Sequence, residues 1–510
     1  MHKFKERTTL NPVMTFLILI LFVIILSGFL NLIGFEATYN KIDVNTGEYT
    51  VTSENVESLL SLSGLKYIFT STVSNFTAFT PLSMLIIILI GIGILEKSGF
   101  IKTTFTILTK YCKKYTITFW LMLISIVFSI MGDIGYVVMI PIAALMFTYG
   151  RRNPLQGITA VYGALTCGSG LSLLLTSVDS EMMNYTISNA LNIDPNYELG
   201  TFCFLFIQIV AVLLIAFVLT IITERISVNN VDKYEFKDEK KELKLGKREY
   251  RGLLFSISAG ALYLLIFIYN IIPGLPLSGA LLDYSQKFYI DKLFSYDSFF
   301  SNGFVFIVTV FFIILGLFYG IGAKTIKNQN DFCEDLTHSL DGTGRTLILI
   351  LLGSILINVF KKSNIGTVLT ISLGNILKNG NITGISLVVV LFLISAISTL
   401  FQTNTVAKWA LLSSIVIPTF MNNSLSPEYA QIITRFGECA TLGITPLLAY
   451  FTVYIAYMEK YNQNEEPIPL HKMIKNQLPY SLITGILLLL ILIGWYFVGI
   501  PIGIGGSIIT

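Results

Sequence analysis

The stretch Gly437-Glu438-Cys439-Ala440-Thr441-Leu442-Gly443-Ile444-Thr445-Pro446 sets a carboxylate, threonines, glycines and a proline inside an apolar run covering 428–457. Arg435 lies one helical turn before Glu438, so the two side chains share a helix face. As a helix, such a run can cross roughly 30 Å of hydrocarbon. A break at that depth leaves backbone N–H and C=O groups without partners, at a cost of several kcal/mol each in lipid, on the order estimated for burying unpaired polar groups. A break of this kind persists where the freed groups line a cavity and bind something. The pattern therefore predicts a discontinuous membrane helix with a polar site at its centre.

The same pattern occurs earlier in the chain. Asn153-Pro154 opens an apolar run over 156–178 that is interrupted by Thr166-Cys167-Gly168-Ser169-Gly170-Leu171-Ser172 and followed by Thr176, Ser177 and Asp179. Ser426-Pro427 opens the later run, and the spacing from Pro154 to Gly170 equals that from Pro427 to Gly443. Each run follows a candidate re-entrant hairpin. The first, 117–149, has its tip near Gly132-Asp133, and the second, 383–421, has its tip near Gln402-Thr403-Asn404-Thr405. The second arms carry Pro141 and Pro418. Basic pairs Lys113/Lys114 and Arg151/Arg152 place both ends of the first hairpin on the cytoplasmic side by the excess of Lys and Arg in cytoplasmic loops. Carrying that orientation along the chain brings the second hairpin in from outside. The order of tip, proline-bearing arm, [Asn/Ser]-Pro and polar break then reads as an inverted repeat, a pointer to a secondary transporter with its site at the repeat interface.

Composition supports the membrane reading. Of 510 residues, 54% are hydrophobic and only 13% are charged, against about 25% charged in an ordinary soluble domain. The continuous apolar runs predict an all-α integral membrane protein, with about nine transmembrane helices of roughly 20 residues each plus the two hairpins. Its first half is 1–223, its charged cytoplasmic linker 224–251 and its second half 252–510. The N-terminus, with Lys3, Lys5 and Arg7, is expected on the cytoplasmic side of a bacterial inner membrane, and 13–35 reads as a retained first helix rather than a cleaved signal. A net charge of +3 gives no electrostatic footprint for nucleic acid. No GxxxxGK[ST] run suggests a nucleotide-driven pump. The five cysteines and three histidines are scattered without metal-site spacing, so no cofactor or metal centre is expected.

These segments resemble the p-aminobenzoyl-glutamate transporter (AbgT) family. The match is carried by Gly91-Ile92-Gly93-Ile94-Leu95-Glu96-Lys97-Ser98-Gly99, Asp133-Ile134-Gly135-Tyr136-Val137-Val138-Met139-Ile140-Pro141, Arg152-Asn153-Pro154-Leu155, Ala407-Lys408-Trp409-Ala410-Leu411-Leu412 and Ile444-Thr445-Pro446-Leu447. The resemblance implies a homodimer in the lipid bilayer. It also implies ion-coupled movement of aromatic-amide carboxylates such as p-aminobenzoyl-glutamate, or export of antimetabolites such as sulfonamides. The chain departs from the family pattern at both breaks: Ser172-Leu173-Leu174 replaces Ser-Ala-Asn, and Gly437-Glu438-Cys439-Ala440-Thr441-Leu442 replaces Gly-Asp-Ser-x-Thr-Asn. Gln402-Thr403-Asn404-Thr405-Val406 replaces a tip of small residues.

Intramembrane ionisable groups are costly and point to function. The expected contacts to a small anionic substrate are Ser172, Asn404, Lys408, Trp409, Arg435, Thr445 and Pro446. The expected ion-coupling set is Asp133, Gly168, Ser169, Asp179, Glu438 and Thr441, with Na⁺ or H⁺ as the coupling ion and helix-break carbonyls as possible Na⁺ ligands. An integral-membrane enzyme is the alternative from another class, but no long loop carries the His or paired carboxylates it would need. A passive channel is disfavoured because the charges sit at helix breaks rather than in rings.

Overall fold

The structure, a computed structural model, describes residues 10–172, 176–236, 246–286, 289–294, 298–380 and 382–509. The basic N-terminal residues, Leu173-Leu174 in the first break and the 237–245 part of the charged linker lie outside the described residues.

The first half of the chain holds α1 (Pro12–Ile33), α2 (Leu62–Thr77), α3 (Thr80–Lys97), α4 (Phe100–Tyr111), α5 (Lys114–Phe128), α6 (Asp133–Tyr149), α7 (Pro154–Cys167), α8 (Ser177–Leu191), α9 (Leu205–Ile221) and α10 (Val228–Asn230). Next come α11 (Lys247–Ile271), α12 (Tyr289–Phe294), α13 (Phe299–Ala323), α14 (Gln329–His338), α15 (Gly344–Ser363) and α16 (Ile365–Asn379). The last are α17 (Ile385–Thr399), α18 (Thr405–Asn422), α19 (Pro427–Cys439), α20 (Phe451–Lys460) and α21 (Leu470–Val498). Strands β1 (Glu36–Ile42) and β2 (Tyr49–Asn55) form one antiparallel pair.

Among the described residues, 8 helical segments are long and apolar enough to cross a membrane. They include every expected span except the two broken ones, together with the first arm of the first hairpin, Lys114–Met131. The runs 156–178 and 428–457, expected as single interrupted helices, differ: α7 ends at Cys167 and only Ser177 and Val178 of the first run are helical again, as the start of α8, whereas the second run is two helices, α19 and α20. α7 stops at Cys167, and the chain restarts at Ser177 behind a capping box formed by Thr176 and Asp179. α19 stops at Cys439, passes through a 3-10 turn at Leu442–Ile444 and restarts at Phe451. The [Asn/Ser]-Pro pairs do the same work in both copies. Asn153 and Ser426 cap the helix N-termini from their side chains, and the proline takes the first helical position, where its missing N–H goes unnoticed.

The all-α expectation needs one correction. Segment 36–55 is a β-hairpin because Ala37, Tyr39 and Ile42 are buried while most residues between them face out, and Gly47 (φ 73) closes the turn. The start of the 224–251 stretch is likewise not linker. It prolongs α9 through a π turn at Ile222–Ser227 that buries Glu224.

Both hairpin candidates turn where the tips were placed. α5 and α6 meet at Gly132 (φ 55), and α17 and α18 are separated by Gln402-Thr403-Asn404. α5 and α6 pack on α7, α17 and α18 pack on α19, and α21 touches both α7 and α19. Around this centre, α1 packs on α15, while α3, α11 and α13 pack together. The outer faces of α1 and α11 expose Leu21, Phe22, Ile25, Leu262 and Leu265, as suits lipid rather than water.

The π turn is held by charge. Arg152 Nη2 lies 2.5 Å from Glu224 Oε1, Thr118 donates to the same oxygen at 2.5 Å, and Lys114 Nζ lies 3.8 Å from Oε2. Gln156 donates to the Thr223 carbonyl at 2.5 Å, which offsets part of what the π turn leaves unpaired. Removing one partner of a buried pair strands the other charge. Arg152→Met is expected to cost about 3 kcal/mol, the low end for a broken buried pair because Lys114 remains nearby. The shift of the unfolding midpoint of the detergent-purified chain measures it.

Candidate functional site

The two breaks cross at the centre of the molecule, and each needs a glycine to do so. A Cβ on Gly170 would lie 2.7 Å from the Arg435 carbonyl oxygen and 3.0 Å from Cys439 Sγ, both on α19. A Cβ on Gly443 would lie 2.6 Å from Thr166 Oγ1 on α7. The equally spaced glycines therefore face the opposite copy, first break against second helix and second break against first. The Gly170 N–H donates to Cys439 Sγ at 3.1 Å.

Charge joins the copies at the same place. Arg435 Nε lies 2.9 Å from Asp179 Oδ1, its Nη2 donates to the Ser169 carbonyl at 2.7 Å, and its Nη1 lies 3.5 Å from Glu438 Oε1. Glu438 Oε2 pairs with Lys408 Nζ at 3.1 Å, and its Oε1 accepts from Thr405 at 2.6 Å. Lys408 also donates to Thr399 Oγ1 at 2.6 Å. The result is an alternating row, Asp179, Arg435, Glu438, Lys408, with side chains at most 4% exposed and formal charges that cancel. Each member depends on its neighbours in the row and on nearby hydroxyl and carbonyl groups, since burial removes the water that would otherwise solvate it.

A cavity of about 240 Å³ opens beside this row. Of the expected residues, Asp133, Ser169, Arg435 and Glu438 line it. Asp133 starts α6, is open to the cavity and faces the Tyr450 hydroxyl. Phe300 and Phe304 of α13 form an apolar part of the wall.

The other expected residues sit near the cavity but not on it. Lys408 and Trp409 are fully buried, and Trp409 Nε1 donates to Thr186 Oγ1 at 3.0 Å. Asn404 caps α18 by accepting from the Ala407 N–H at 2.9 Å, so its amide oxygen is engaged in starting a helix. Thr441 donates to the Ala396 carbonyl at 2.6 Å, and Thr445 to the Leu400 carbonyl at 2.8 Å. These hydroxyls dock the second break onto the end of α17, with Pro446 next in the chain. In the first copy Ser129, from the hairpin tip, donates to the Gly168 carbonyl at 2.7 Å. Ser172 is buried, with its Oγ 3.5 Å from Asp179 Oδ2.

Sequence reasoning placed Thr405 at the second tip and Thr176 after the first break without giving either a role, and it did not reach Thr399, Tyr450 or the phenylalanine wall. Thr176 was legible, because Thr176-Ser177-Val178-Asp179 is a capping-box pattern. Thr399, Tyr450 and the phenylalanines reach the site through long-range packing and carry no local signal.

A sequence profile of the AbgT putative transporter family matches residues 7–510. The chain belongs to the AbgT family. It is a transporter, not an enzyme, and a multi-pass membrane protein. The p-aminobenzoyl-glutamate transport protein of Escherichia coli (strain K12) is 24% identical over 97% of this chain and 94% of its own length. Among solved structures, the Alcanivorax borkumensis YdaH transporter is 24% identical, covering 97% of this chain and 100% of its own, with a TM-score of 0.49. Neisseria gonorrhoeae MtrF, described with a class of antimetabolite efflux pumps, is 26% identical, covering 98% of each chain, with a TM-score of 0.48.

In this AbgT chain the charged row makes a stability prediction. Lys408→Met leaves Glu438 with only Arg435 beside it and is expected to cost about 3 kcal/mol. Adding Glu438→Gln to it should recover part of that loss. A double-mutant cycle on thermal midpoints reads the coupling; additive losses would mean that Lys408 and Glu438 are independent.

Proposed function

We propose that the chain is an ion-coupled secondary transporter of small carboxylates that works by alternating access. The reading rests on the alternating row of charges at the crossing of two helix breaks, beside a cavity of about 240 Å³. Arg435 and Lys408 are held by internal carboxylates, so a substrate carboxylate entering the cavity can compete with Asp179 and Glu438 for the same donors. A guanidinium suits that exchange, because its fork binds carboxylates in two-point geometry. Binding then loosens one partner of the row and biases the two copies toward a different mutual arrangement, the differential contact a population shift needs.

Asp133 is the best candidate for the coupling ion. It lines the cavity, faces a tyrosine hydroxyl and makes no ion pair among the described residues. A carboxylate of this kind can carry a proton, or hold Na⁺ together with carbonyls of the breaks. The Phe300 and Phe304 wall favours a cargo with an aromatic ring. The name of the E. coli relative supports p-aminobenzoyl-glutamate-like amides; antimetabolites of sulfonamide type are the second cargo of the proposal. The two hairpin-and-break units, taken as an inverted repeat, supply the moving parts. A homodimer in a bacterial inner membrane with a cytoplasmic N-terminus completes the proposal.

Proteoliposomes with imposed Na⁺ or pH gradients and labelled p-aminobenzoyl-glutamate test it. One of the gradients should drive accumulation above equilibrium, and Glu438→Gln should abolish it with assembly intact. Asp133→Asn should leave exchange of labelled for unlabelled substrate but remove gradient-driven accumulation. Equilibration that ignores both gradients in the unmodified protein would remove the coupling claim.

A further inference from the structure

A second and larger cavity has no lining residue in either helix break. It is a groove of about 860 Å³ between the β1–β2 hairpin and the C-terminal ends of α8, α16 and α18. Its lining is rich in amide and hydroxyl side chains, and Lys378 is the single charged residue among them. Lys378 makes no ion pair among the described residues.

The floor of the groove holds an unsatisfied residue. Ser414 is 6% exposed, and its hydroxyl has no hydrogen-bond partner among the described residues. Pro418, four residues on in the same helix, has no N–H, so the Ser414 carbonyl also lacks its helical donor. Ser414 and Pro418 both line the groove. The Ser414 hydroxyl is thus a donor without a partner, in a setting where unpaired polar groups are costly. An amide carbonyl oxygen is a matching acceptor for that hydroxyl.

The groove is also connected to the charged row. Tyr49, on its wall, donates to Asn189 Oδ1 at 2.8 Å, and Asn189 donates to Ser413 Oγ at 3.2 Å. One turn earlier on α8, Thr186 accepts from Trp409 and donates to Gln431 Oε1 at 2.6 Å. Gln431 in turn donates to the Asp179 carbonyl at 3.3 Å. The contact between α8 and α18 is therefore a closed polar seam running from groove to central site. Its hydrogen bonds can be exchanged for water or ligand when the helices part, which an apolar seam could not do without exposing its surface.

We propose that this groove is a vestibular binding site for the transported substrate, a small carboxylate bearing an amide. Lys378 holds the carboxylate, and the Ser414 hydroxyl donates to the amide carbonyl. The α8–α18 seam is the closed passage from there to the central cavity. The inference rests on the carboxylate reading proposed above.

The test uses the full chain and p-aminobenzoyl-glutamate as the probe. In proteoliposomes, Lys378→Gln and Ser414→Ala should each raise the KM of uptake about tenfold, the scale of one lost polar contact, with maximal rate unchanged. Lys378→Arg should restore the KM, which a merely structural lysine would not require. By equilibrium dialysis, Arg435→Gln should keep one binding event that the added Lys378→Gln removes. A wild-type KM in both Lys378→Gln and Ser414→Ala, or loss of all binding in Arg435→Gln, overturns the vestibule and leaves the transport reading standing. Binding that depends on Lys378 in a chain that transports nothing supports the vestibule and sinks the transport reading. Absence of both binding and transport overturns both.

Discussion

Arg435 is the side chain on which the centre of the molecule depends. It reaches Asp179 at the start of α8 and the Ser169 carbonyl in the first break, while Glu438 stands beside it on its own helix. One guanidinium thereby ties α19 to the first break and to the start of α8. Its planar fork of donors can meet a carboxylate, a backbone carbonyl and a second carboxylate from a single position, which an ammonium group could not do with fixed geometry. Burial deprives these charges of water, so the guanidinium and the carboxylates beside it stabilise one another.

The backbone around the breaks follows the same economy of pairing. A broken helix in an apolar setting must find partners for the groups it frees. Here hydroxyls supply many of them: Ser129 for Gly168, Thr441 for Ala396 and Thr445 for Leu400. The hairpins and the broken helices therefore hold each other, because the ends of one are satisfied by side chains of the other. Close approach makes this possible, and Gly170 and Gly443 permit it by carrying no Cβ where the opposite copy passes. Local pairing around each break is thus joined by a few charges between the breaks.

Much of this architecture was legible in the chain. Asn153-Pro154 and Ser426-Pro427 mark helix starts because a side-chain cap and an N1 proline are local chemistry. The Gly132 and Gln402-Thr403-Asn404 tips were legible because polar and glycine residues interrupt long apolar runs. The β-hairpin at 36–55 was missed, since charged residues on its exposed positions hid the alternation beneath them. The π turn at Ile222–Ser227 was missed because nothing local marks it; it is held by Arg152, Thr118 and Gln156 from elsewhere in the chain.

The sequence by itself determined that this is a helical membrane protein with two polar breaks, and that intramembrane charges gather at them. Apolar length, proline and glycine placement and the rarity of charge act locally, so they can be read in one dimension. Tertiary structure alone decided the partners. That Asp179 pairs with Arg435 across the repeat, that Lys408 turns inward to Glu438, and that Asn404 caps a helix rather than facing the cavity are matters of which helices cross and how closely. Those crossings are set by packing between residues far apart in the chain, and no local pattern encodes them.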